Sequence, residues 1–152
     1  MKHHVKTVAI AVISFAIGAA VTHLPQAARA AAAPLVASTY DLAALTSDTM
    51  PAPTTTFPNL HSKTLVVEDG MTLAVQMGTA FKHFHSSADE IQIVLDGSGT
   101  EWLGDKQVQL KPGTMVVIPR GTTHAGLVDL GHLKFVSIKS PSQDPADVHP
   151  VP

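Results

Sequence analysis

Gly78-Thr-Ala-Phe-Lys-His83-Phe-His85-Ser-Ser-Ala-Asp-Glu90-Ile-Gln-Ile-Val-Leu-Asp-Gly97 places two histidines and a glutamate at metal-ligand spacing. A second block, Gly113-Thr-Met-Val-Val-Ile-Pro119-Arg-Gly121-Thr-Thr-His124, adds a third histidine. Side chains two apart on a strand share a face, so His83 and His85 can hold one ion from one strand. Ser86 to Asp89 is short and polar, suited to a tight reversal. Glu90 then opens an alternating, β-branched-rich run that an antiparallel pairing would bring beside the histidine pair. His124 follows the strand-like Met115 to Ile118 and the turn Pro119-Arg120-Gly121. Taken alone, a His-x-His pair is most often a packing or surface feature, Glu90 an ordinary strand-end carboxylate and His124 a loop histidine. Two glycine-anchored blocks supplying all four in order are what mark His83, His85, Glu90 and His124 as a ligand set. Three imidazoles and a carboxylate suit one divalent transition metal, whether Fe, Mn, Ni, Cu, Co or Zn. Octahedral geometry would leave two positions for water, substrate or dioxygen, the feature that separates a reactive metal from a structural one.

The surrounding pattern is β throughout. Strands are expected at Thr64 to Val67, Met71 to Met77, Phe81 to His85, Ile91 to Leu95, Thr100 to Leu103, Gln107 to Leu110, Met115 to Ile118, Ala125 to Val128 and Leu133 to Ile138. Turn signals separate them, including Asp69-Gly70, Gly104-Asp105 and Lys111-Pro112-Gly113. Short strands with a turn about every ten residues read as a sandwich or barrel. Residues 31–60, with Pro34, Pro51, Pro53 and Pro58, read as an extended arm, and 140–152 as a disordered, proline-rich tail. Gln92 faces the same way as Glu90, either within reach of the metal's surroundings or a substrate or simply satisfied as a polar group inside the barrel, and Phe81 shares a face with His83 and is placed in the pocket wall. Glu101 and Asp105 fall in a different hairpin, away from the ligands.

The two blocks resemble the motifs of the cupin family, Gly-x5-His-x-His-x3–4-Glu-x6-Gly and Gly-x5-Pro-x-Gly-x2-His-x3-Asn. The likeness covers about Leu65 to Ile138, and the domain is drawn as 61–139. Two departures are visible: Gly78 stands four residues before His83 rather than five, and Val128 replaces the closing Asn. Neither touches a ligand. The resemblance implies an all-β, double-stranded β-helix or jelly-roll barrel with the metal in its mouth.

At the other end of the chain, Lys2 and Lys6 precede an apolar run from Val8 to Val21, then a polar patch and Ala28-Arg29-Ala30. That is the layout of a secretory signal peptide over residues 1–30, cleaved after Ala30 with Ala32 and Ala33 as alternatives. The run is shorter than the ~20 residues of a spanning helix, so no stable membrane anchor is expected and the mature protein is read as periplasmic or secreted. Removing Lys2, Lys6 and Arg29 from ten basic residues leaves seven against twelve acidic ones, a net charge of −5. That balance argues against nucleic acid as a partner. The apolar groups of the arm are expected to lie against a barrel edge, that of a second subunit in a homodimer, with folding back on its own barrel as a monomer the alternative.

The resulting expectation is an exported cupin metalloenzyme acting on a small, oxygen-rich molecule. Dioxygenase-type chemistry is slightly favoured, because no acid–base carboxylate besides Glu90 is placed near the metal. The alternative is a non-catalytic module that binds metal or a small ligand. Intact-mass measurement on exported protein is expected to place the N-terminus at Ala31 or within about three residues of it; a full-length mass in the membrane fraction would establish an anchor instead.

Overall fold

The computed structural model describes residues 35–68, 70–127 and 133–152. The expected signal peptide, and Val128 with its neighbouring turn, lie outside these. Ten strands run in chain order: β1 (Leu60–Glu68), β2 (Met71–Gly78), β3 (His83–Phe84), β4 (Asp89–Gly97), β5 (Gly99–Leu103), β6 (Lys106–Leu110), β7 (Met115–Ile118), β8 (His124–Leu127), β9 (Leu133–Ser140) and β10 (His149–Pro150). They form two five-stranded antiparallel sheets, ordered β1-β2-β9-β4-β7 and β10-β3-β8-β5-β6. No helix occurs among the described residues. The all-β barrel expected from the strand pattern, and the jelly roll that the family resemblance implies, are the fold observed.

The register of β4 on β9 determines what fills the interior. Val94 pairs with Phe135, Gln92 with Ser137 and Glu90 with Lys139. Directly opposed residues project to the same face, so apolar meets apolar at one end and polar meets polar at the other. Val94, Phe135 and Leu133 join Leu60, Leu110, Val116 and Ile118 in the buried core between the sheets. Glu90, Gln92, Ser137 and Lys139 are equally buried but form a polar end. The barrel therefore has a greasy floor and a hydrophilic mouth.

The outward-facing residues of the first sheet are also apolar, and the arm covers part of them. Leu42, Leu45 and Met50 pack with Val75, Val136, Leu73, Ile93 and Ile138. The Lys134 ammonium donates to the carbonyls of Leu42, Ala43 and Leu45 at 3.1, 3.4 and 2.9 Å, and the Tyr40 hydroxyl to that of Leu65 at 3.2 Å. The arm thus folds back on its own barrel, the alternative to the second subunit that the sequence favoured. Burial within one chain needs no loss of translational freedom, whereas the same contacts between two chains do.

The tail also departs from expectation. Rather than being disordered, β10 pairs with β3, and Val151 donates its N–H to the Lys82 carbonyl at 2.9 Å. The ring of His149 stacks on Phe84. Composition hid this because the anchoring groups are polar and their partners lie about sixty residues away.

Gly78 closes β2 with φ of 116°, and a Cβ there would stand 2.1 Å from the Asn59 carbonyl oxygen. That oxygen already accepts the Thr79 N–H at 2.9 Å. Both the dihedral and the space demand glycine. Gly78→Ala is expected to destabilise the protein by about 3 kcal/mol, since strain and a backbone clash combine. Urea denaturation measures it, and a loss under about 1 kcal/mol would mean that the turn simply rearranges.

Candidate metal centre

Three local devices aim the ligands. β3 pairs with β8 so that His83 lies opposite His124, with ring centroids 4.3 Å apart. His85 follows β3, and its carbonyl accepts the Gly121 N–H at 2.7 Å, tying the Pro119-Arg120-Gly121 turn to the histidine strand. The Asp89 carboxylate then takes the Arg120 backbone N–H at 2.8 Å and its guanidinium at 3.1 and 2.8 Å. This forked pairing holds the Asp89 carboxyl down at about 2. Glu90 and His124 each follow a member of that pair closely in sequence.

The ring nitrogens show a common orientation. Each Nδ1 faces a backbone carbonyl: His83 to Phe81 at 2.8 Å, His85 to Asp147 at 2.5 Å and His124 to Thr122 at 3.0 Å. A carbonyl only accepts, so each Nδ1 carries the proton and, in the neutral ring, each Nε2 carries a lone pair. One ligand nitrogen from each ring lies within 4.8 Å of the others. Glu90 is divided in a similar way. Its Oε1 accepts from Ser137 Oγ at 2.7 Å and Gln92 Nε2 at 3.2 Å. Its Oε2 is left 3.3 Å from His85 Nε2 and 3.4 Å from His124 Nε2.

All four side chains are buried, and Glu90 Oε2, His85 Nε2 and His124 Nε2 make no hydrogen bond. Lone pairs and a carboxylate oxygen converging away from water are costly without a positive charge among them. Among these atoms Lys139 faces only the Glu90 oxygen; a divalent cation would satisfy the imidazole lone pairs as well, and the donor set fits the borderline metals expected from the sequence. Titration in the metal-free protein follows the same geometry. Burial, then the neighbouring His124, lowers His83 to about 4, so that ring is neutral at pH 7. Burial opposes ionisation of Glu90, but Lys139, His124 and His85 outweigh it and the carboxyl sits well below its usual range. Burial likewise lowers His124, and the Glu90 carboxylate more than restores it, for a net upward shift.

Of the two pocket residues, Gln92 is placed as a hydrogen-bond donor to Glu90. Phe81 stacks on Phe57 at 4.9 Å and meets the edge of His83, on the exposed rim. The sequence reading passed over three residues. Asp147, from the tail, orients His85 through its backbone. Its carboxylate accepts from the N–H groups of Ser86, Ser87 and Ala88 and from the Ser86 and Ser87 hydroxyls, at 2.6–3.2 Å. Lys139 places its ammonium 3.6 Å from Glu90 Oε2. Glu101 is 1 % exposed, with an unbonded Oε2. Because Leu103 pairs with His124 across β5 and β8, Glu101 sits two residues along on that same interior face. The expectation that it lay apart from the ligands is corrected. Strand phase was the available signal, since Glu101 shares a face with Leu103 and Lys139 with Ser137.

Residues 70–138 match the cupin domain family. The barrel is a cupin domain. Solved structures share its fold at low sequence identity. KdgF from Halomonas sp. is 22 % identical with a TM-score of 0.53, over 59 % of this chain and 84 % of its own. Streptomyces PAC13, solved with uridine, is 16 % identical with a TM-score of 0.57, over 70 % and 88 %. A double-stranded β-helix protein from Klebsiella pneumoniae is 16 % identical with a TM-score of 0.53, over 64 % and 88 %. At these identities the likeness establishes the fold alone. No curated protein matches the chain in sequence.

Burial lifts the Glu101 carboxyl from 4.5 to about 7, with Glu90 adding to the rise and His124 opposing it. The folded pKa lies above the unfolded one. Its contribution is therefore present below pH 4.5 and lost as pH rises through about 7. Metal-free wild type should lose stability relative to Glu101→Gln across that window. Urea titrations at several pH values test this, and parallel stability curves for the two proteins would contradict it.

Proposed function

We propose that this cupin is an exported metalloenzyme acting on a small, oxygen-rich organic molecule. The observation that carries the reading is the convergence of three imidazole nitrogens and Glu90 Oε2 in a buried, polar barrel mouth. A bound divalent metal would supply Lewis-acid polarisation of a ligand oxygen or, for a redox metal, electron transfer. The chain's own residues would hold it: His83, His85 and His124 through Nε2, and Glu90 through Oε2, with Ser137 and Gln92 steadying the carboxylate. The apolar floor excludes water from beneath.

The preference for dioxygenase-type turnover rested on the lack of a second carboxylate near the ligands. Glu101 is such a carboxylate, buried on the interior face beside the His124 strand and raised to about 7 in the metal-free protein; a bound cation would lower it from there while leaving it placed to exchange a proton with a substrate. We therefore favour metal-assisted proton transfer, as in isomerisation or elimination, over oxygen chemistry. Export accords with the basic, apolar and small-residue layout of residues 1–30. A homodimer remains our reading, but its interface is transferred from the arm to the edge strand β7, where Met115 and Val117 stand exposed.

His124→Ala is expected to lose stoichiometric metal while the barrel, with its separate apolar core, still folds. Metal-loaded wild type is to be incubated with diketones, phenolics and dicarboxylates in deuterium oxide while oxygen uptake and product mass are followed. Deuterium incorporation without oxygen consumption is the expected result. Oxygen uptake would restore the dioxygenase reading, and tight binding without turnover would identify a binding module. Retention of full metal by His124→Ala would remove the site itself.

A further inference from the structure

Two lysines are buried among the described residues, and they are differently employed. The Lys134 ammonium is surrounded by three arm carbonyls on the outer face. Lys139, 4 % exposed, projects into the barrel mouth. The register sets it directly opposite Glu90 on β4 and Thr72 on β2. Its ammonium donates to Gln143 Oε1 at 3.2 Å and lies 3.6 Å from Glu90 Oε2. That is the same carboxylate oxygen that faces His85 and His124.

A cation held by His83, His85, His124 and Glu90 and the ammonium of Lys139 would thus share one carboxylate oxygen. At such separations, with water excluded, two like charges repel strongly. A buried ion pair is also poor at stabilising a fold compared with well-packed apolar groups, so stability alone is a weak reason for a lysine here. The arrangement becomes favourable when a second negative charge enters and touches both cations. Lysine suits that task as a compact point charge on a flexible stem. The other buried acid of the mouth, Glu101, lies on the opposing sheet beside the His124 strand, and its Oε2 has no hydrogen-bond partner among the described residues.

We propose that Lys139 binds the anionic group of the substrate, which is a small organic carboxylate received between the lysine ammonium and the site that would hold the metal. This rests on the metal reading above and narrows its substrate class. In the absence of such an anion, Lys139 competes with the metal for Glu90. When the anion binds, the ammonium turns to it and the competition is relieved.

That dual role predicts effects of opposite sign from one substitution. The protein is loaded with cobalt(II), whose absorption spectrum reports ligands at the metal. Acetate serves as the anionic probe and imidazole as the neutral one. Lys139→Met is expected to bind cobalt several-fold more tightly in chelator competition. It should bind acetate at least about tenfold more weakly, while imidazole changes less than about twofold. Lys139→Arg should keep acetate within about threefold of wild type. Lys139→Gln, which can still hydrogen-bond Gln143, repeats the test should the methionine variant not fold. Acetate affinity unchanged in the neutral variants, or acetate and imidazole weakened alike, overturns the proposal. So does weaker cobalt binding, because Lys139 would then merely support the cage. Failure of wild type to take up cobalt is a separate result and removes the metal reading beneath it.

Discussion

The pairing of β4 with β9 governs most of what this barrel can do. Side chains alternate strictly along a strand, so one register decides the content of the interior along its whole length. Here it sets Val94 against Phe135 and Glu90 against Lys139, with Gln92 and Ser137 between. A slip of one residue would send Ile91, Ile93 and Leu95 inward and turn the Glu90 carboxylate out of the barrel. The core and the ligand set are therefore specified together. The strong preference of Val94, Phe135, Val116 and Ile118 for burial also keeps Glu90 pointing at the histidines.

Given that register, Glu90 is polarised by its neighbours. Ser137 and Gln92 occupy one oxygen and leave the other for the imidazoles and Lys139. The histidines are prepared in the same manner, each with Nδ1 on a carbonyl and Nε2 turned inward. Such outer contacts fix ring tautomer and direction, on which metal affinity depends strongly. The tail enters the site in this capacity. Asp147 gathers the Ser86, Ser87 and Ala88 donors and so shapes the turn between His85 and Glu90. A segment that looks dispensable in sequence is thereby part of the centre's geometry.

The arm and the tail illustrate why chain-end composition misleads. Both are rich in proline and small polar residues, the usual signature of mobile chain. The arm is nonetheless held by Leu42, Leu45 and Met50 on an apolar sheet face, and by Lys134 acting on three carbonyls. The tail is held by one carboxylate with five donors on Ser86, Ser87 and Ala88. In each case a few long-range contacts outweigh the weak local preference.

The amino-acid sequence alone determined the β class, nearly every strand and the four candidate ligands. Alternation, turn residues and ligand spacing are local properties, and His83, His85, Glu90 and His124 sit in two short blocks where spacing along the chain maps onto spacing in the fold. Even there the strand at Phe81 to His85 contracts to two residues, because His85 leaves the ladder for the turn that Asp147 organises. Only the tertiary structure decided the rest. Glu101, Lys139 and Asp147 belong to three distant segments and carry no local mark of a site. Their placement comes from which strands pair and in what register, a matter of long-range hydrophobic burial. The arm's position depended on the same kind of choice, since its apolar residues specify that a surface must cover them but not whose surface it is.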